Sequence, residues 1–249
     1  MTPRKLPPAP TPPALSGPAA PPRRPARKLS LRERMPWLPW VLPFALFLVL
    51  TSLEGEFTGY YPWFYTAKIA IVTGVLLRLR WFLPEAAPSK NGLGLAVGLG
   101  LILAVLWVLI DYITPYFGFL GTRIAYNPFH ELPNWGGRIV FLLVRFYGLV
   151  VVAPICEELF YRGFLLRFVT DMDDFRRVPM GRFSRAAFAA VVVLMALSHP
   201  EWLSALVFSA ALCALLARTR SLFACIVCHG VANLALGVYV LVSHNWKLW

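Results

Sequence analysis

LGLAVGLGLILAVLWVLIDYI, residues 93–113, is an apolar run whose one charge, Asp111, stands near its end. A bilayer core demands about 17–25 such residues for a helical crossing, so this stretch predicts a transmembrane helix. Gly92, Gly94, Gly98 and Gly100 at its start predict close approach of a neighbouring helix. Comparable runs lie on either side: Trp37–Leu53 and Pro62–Leu77 before it, then Arg138–Phe168, Arg185–Ser198, Trp202–Ala217 and Leu222–Ser243. This pattern predicts an all-α, polytopic transmembrane helix bundle of seven spans, or eight if the long fourth run breaks at Pro154. No period indicates a solenoid and no alternation indicates a barrel.

Composition agrees. The 249 residues are 58% hydrophobic and 14% charged, where soluble domains run at about 45–50% and about 25%. The net charge of +12 would ordinarily point to nucleic acid or an anionic surface. Its distribution decides between them. Residues 1–36 form a Pro-rich tail with eight basic residues against one acid, too poor in apolar residues to fold and read as a disordered cytoplasmic arm. With that tail inside and seven spans, 19 of the 24 Lys and Arg fall on the cytoplasmic side. The charge therefore records orientation in the cell membrane, with no nucleic-acid partner. Residues 37–137 hold the first spans and 138–249 the region with unusual polar residues. Trp37, Trp40, Trp81, Trp135, Trp246 and Trp249 stand at span ends, as an interfacial belt would.

Charges inside spans are costly and mark function by default. Three clusters occur: Glu157, Glu158 and Arg162 in Pro154-Ile-Cys-Glu-Glu-Leu-Phe-Tyr-Arg162; His199 at the end of the fifth run; and His229 with Asn233 in the seventh. Lys68 and Arg145 also lie within spans. Glu158 and Arg162, four apart with the acid first, can pair on one helix face. Glu157 projects about 100° away and is free for another partner. Counted from the flanking charges, Glu157, His199, His229 and Asn233 all reach depths of about 12–21 Å. The short fifth and sixth runs form a hairpin with His199 near its tip. A carboxylate and an imidazole together can hold and deprotonate a water. A second imidazole and an amide can donate to a tetrahedral oxyanion. That set is sufficient for peptide hydrolysis without a Ser or Cys nucleophile.

Glu-Glu-x-x-x-Arg, a His after a short apolar span, then His-x-x-x-Asn is similar, in that order over about 140–243, to the CAAX protease and bacteriocin-processing family of intramembrane proteases. The resemblance implies a mostly eight-helix fold, Glu157 and His199 as the water-activating pair, His229 and Asn233 as the oxyanion hole, and Glu158 and Arg162 as shaping residues. It implies a membrane-tethered protein or peptide as substrate, cut near its C-terminus. The family often has Phe four residues before the second-motif His; here that residue is Met195, expected to alter pocket shape rather than chemistry. The first spans resemble a bacterial branch associated with exosortase-type sorting.

Other chemistries compete for these residues. Buried Glu and His also build proton-coupled transporters or channels, although no inverted repeat is present. A catalytically silent scaffold of the same family is a further reading. Cys225-Ile-Val-Cys228-His229 matches a haem-attachment pattern but sits inside an apolar helix. No cofactor is expected; were the site metal-dependent, zinc on Glu157, His199 and His229 would be the arrangement.

Overall fold

A computed structural model of the protein describes residues 34–121 and 123–249. The basic arm read over residues 1–36 lies outside the described residues except for its last three. Seven long helices follow: α1 (Leu38–Glu56), α2 (Tyr61–Leu79), α3 (Leu93–Ile113), α4 (Trp135–Thr170), α5 (Arg185–Leu197), α6 (Trp202–Thr219) and α7 (Leu222–Ser243). No strand occurs among the described residues. Five of the seven, α1, α3, α4, α6 and α7, are long and apolar enough to cross a bilayer. Helix α5, with 13 residues, is only about 20 Å long and pairs with α6 as a hairpin.

Local chemistry sets the ends. Asn134 accepts the Gly137 N–H at 2.7 Å and opens α4. Ser184 and Ser221 cap α5 and α7 in the same way. Arg220 and His244 close α6 and α7 in left-handed conformations. Asp171 turns the chain after α4 by accepting from the Asp173 and Asp174 N–H groups.

Helix α4 does not break at Pro154; it runs through the proline as one helix of 36 residues. Two widened turns, Gly148–Val152 and Leu159–Leu165, lie on either side of the segment that carries Pro154, Glu157 and Glu158. Such five-residue turns inside an α-helix recur at functional sites.

Helix α3 packs along α7, and α6 meets both. The side of α3 that holds Ala96, Gly100, Leu103 and Ala104 is buried, whereas Leu95, Leu101, Ile102, Val105 and Leu109 are exposed, as a lipid-facing surface would be. Of the four glycines expected to bring a helix close, two do so. A Cβ on Gly100 would lie 2.6 Å from the Cys228 carbonyl oxygen, and Gly92 adopts φ +76° against Thr219. Gly94 and Gly98 face open space. The aromatic belt also needs two corrections. Trp81 and Trp135 are exposed, but Trp40 is buried beneath the Arg167 guanidinium and Trp249 is buried against Phe146 and Arg145.

The α3–α7 contact has a direct test. Gly100→Val forces atoms into the Cys228 backbone and is expected to cost about 1–3 kcal/mol, whereas Gly98→Val meets nothing. Thermal unfolding in detergent should show a melting temperature several degrees lower for Gly100→Val alone; equal curves for the two variants would refute the contact.

Candidate active site

Helices α4, α5 and α7 enclose one cavity of about 400 Å³, lined by Glu157, His199, His229 and Asn233 together with Trp107, Phe208 and residues of α1 and α2. All four residues singled out as reactive therefore meet at one space. Glu158 and Arg162 stand behind its wall with no accessible surface.

Arg162 organises that wall. Its Nη1 donates to Glu158 Oε1 at 3.3 Å, the pairing expected from their spacing, and to Met195 Sδ at 3.3 Å. Its Nη2 donates to the Ser209 carbonyl at 3.2 Å and hydroxyl at 3.0 Å. Met195 thus does more than change the pocket's shape: its thioether packs on the guanidinium and its carbonyl orients His199. Ser209 on α6 carried no signal in the sequence.

Glu158 also reaches across to α7, where its Oε1 lies 2.9 Å from His229 Nδ1. A carboxylate only accepts, so Nδ1 carries the proton. The other ring nitrogen, Nε2, then faces Glu157 Oε2 at 4.0 Å, beyond direct hydrogen bonding. Glu157 Oε2 has no hydrogen-bond partner among the described residues. The two adjacent acids are thereby separated by role: Glu158 is spent on Arg162 and His229, while Glu157 faces the cavity.

His199 sits in the turn between α5 and α6. Its Nδ1 lies 2.9 Å from the Met195 carbonyl and 3.0 Å from the Ser198 hydroxyl. The carbonyl fixes the proton on Nδ1, leaving Nε2 as the basic nitrogen of the neutral ring. Tyr161 from α4 meets Ser198 Oγ at 3.1 Å and ties the turn to the helix that bears Glu157. Trp107 packs edge-on to His199, and Phe208 edge-on to His229. Neither aromatic was singled out in the sequence, since both lie among ordinary apolar neighbours.

Asn233 has a structural duty as well. The Ala153 N–H bonds to Gly148 O, five residues back, so it is unavailable to Leu149. The next donor in that wider register would be residue 154, a proline with no N–H. The Leu149 carbonyl is left over, and Asn233 Nδ2 donates to it at 2.9 Å. The amide's second N–H is not needed for this bond. Among the described residues no three His, Cys, Asp or Glu side chains converge as a metal-ligand group. Cys156, Cys213, Cys225 and Cys228 are buried free thiols.

The Asn233–Leu149 bond predicts a rescue. Asn233→Ala leaves a buried carbonyl unpaired, at a cost of about 1–3 kcal/mol. Adding Pro154→Ala restores an N–H five residues after Leu149 and should recover part of the lost melting temperature. No recovery in the double variant would rule out this origin for the bond.

A family model described as type II CAAX prenyl endopeptidase Rce1-like matches residues 139–235, which run from the start of α4 to beyond Asn233. No curated protein and no solved structure matches the chain. Residues 139–235, which hold all four candidate residues, are thus similar to the type II CAAX prenyl endopeptidase Rce1-like family.

Proposed function

We propose that the protein is an intramembrane endopeptidase that hydrolyses a peptide bond near the C-terminus of a membrane-tethered protein or peptide, with Glu157, His199, His229 and Asn233 as its catalytic residues. The observation that carries this reading is His229, held through Nδ1 by Glu158 at 2.9 Å and turned through Nε2 toward Glu157 at 4.0 Å, inside the cavity that His199 and Asn233 also line. Glu157 and the Nε2 of His199 hold a water and take its proton as its oxygen attacks the scissile carbonyl. The proton is then delivered to the departing amine as the carbon–nitrogen bond breaks. Negative charge collects on the former carbonyl oxygen. His229, its Nδ1–H held by Glu158, donates to it when Nε2 also carries a proton, and the second N–H of Asn233 donates beside it. The reaction needs no covalent intermediate and assigns no task to a metal or cofactor.

The charge distribution supports placing the protein in the cell membrane with its N-terminus cytoplasmic, since 19 of 24 basic residues then share that side. The resemblance of the first spans to the exosortase-associated branch supports C-terminal sorting tails as the substrate class.

Incubation of purified protein with membrane-tethered candidate tails, followed by mass spectrometry, tests the proposal. Glu157→Ala and His229→Ala are each expected to lower cleavage by about 100-fold or more while the protein stays folded. Cleavage retained in folded Glu157→Ala would remove the mechanism.

A further inference from the structure

Three cations besides Arg162 belong to the cavity region, and two of them are paired. Lys68 on α2 pairs with Glu54 and contacts Thr51 at 3.1 Å. Arg123 meets both carboxylate oxygens of Glu201, at 2.8 and 2.9 Å. Arg145 on α4 differs. It is 6% exposed, lines the same cavity, and has no carboxylate within salt-bridge reach among the described residues. Its Nε has no hydrogen-bond partner. Aromatic rings hold its guanidinium in place: Tyr65 at 4.6 Å and Trp249 at 5.3 Å. The Tyr65 hydroxyl also donates to the Arg145 carbonyl, which fixes this turn of α4 against α2.

A buried guanidinium held on two rings and facing a cavity is a receptor for a planar anion. A carboxylate matches its paired N–H donors. We propose that Arg145 binds the carboxylate at the end of the substrate's tail, an assignment that rests on the hydrolase reading for the identity of that ligand. Arg145 precedes Glu157 by twelve residues on α4, a separation of about 18 Å along the helix. An extended peptide covers about 3.3–3.6 Å per residue, so the gap corresponds to about five residues between the scissile bond and the tail's end. Phe47, Leu48 and Leu149 line the same cavity and suit apolar side chains. Arg145 would thus measure the tail, and tails much shorter than this span would lose the contact.

Binding tests this separately from catalysis. The probes are acetylated hexapeptides of Ala, Val and Leu, ending in a carboxylate or in a carboxamide. They are titrated against the detergent-solubilised full chain carrying Glu157→Gln. The acid is expected to bind about tenfold or more tightly than the amide, and Arg145→Gln to abolish the difference. A third peptide, amide-ended with Asp last, separates the two sources of a carboxylate: weak binding assigns the site to the main-chain terminus, and binding equal to the acid overturns that assignment. Equal affinity for acid and amide in the chain with Arg145 intact overturns the site, and this comparison does not depend on the folding of an Arg145 variant. An acid preference that persists although the wild-type protein cleaves nothing would refute the hydrolase reading and leave the anion site standing.

Discussion

Arg162 carries a full charge where no solvent reaches, and residues of α4, α5, α6 and α7 are arranged around neutralising it. Glu158 supplies the countercharge, Ser209 two acceptors and Met195 a thioether. The same Glu158 oxygen that faces Arg162 holds His229 Nδ1, so neutralising the arginine also fixes the aim of an imidazole on α7. Removing one member of a buried pair leaves an uncompensated charge and typically costs about 3–5 kcal/mol. The pair need not add net stability, because well-packed apolar residues of similar volume often do as well. Its value here lies in orientation: it commits Glu158 to structure and leaves Glu157 free beside the cavity.

A second constraint comes from Pro154. A proline within a helix removes one donor, and the widened turn before it redirects another. Asn233 answers the carbonyl that both leave over. The amide is therefore tied to α4 before any substrate arrives, and it lines the same cavity as His229. Structural and catalytic readings of Asn233 are compatible, because a primary amide has two donors and the helix uses one.

Much of this was legible in the residues. The bounds of α3 and α7 coincide with those of their apolar runs, because polar or glycine residues flank both. The Glu158–Arg162 pair follows from a four-residue spacing, and the convergence of four polar residues follows from their depths. What stayed hidden depends on contacts between distant segments. Glu158 reaches His229 across 71 positions, and Asn233 reaches Leu149 across 84. No local pattern announces either bond. The continuity of α4 through Pro154 was equally hidden, since it relies on a widened turn that sequence periodicity does not register. Trp249 was misplaced because a tryptophan at a span end reads the same whether it faces lipid headgroups or folds back onto an arginine.

The central claim is that the Arg162–Glu158 pair exists to hold His229 for chemistry. Cleavage by the double variant Glu158→Leu/Arg162→Leu measures this most directly, because removing both charges together avoids the penalty of leaving either unpaired. The account predicts a folded protein, with a melting temperature near that of the wild type, whose cleavage of a membrane-tethered tail falls about 100-fold. A folded double variant that cleaves at the wild-type rate would contradict it.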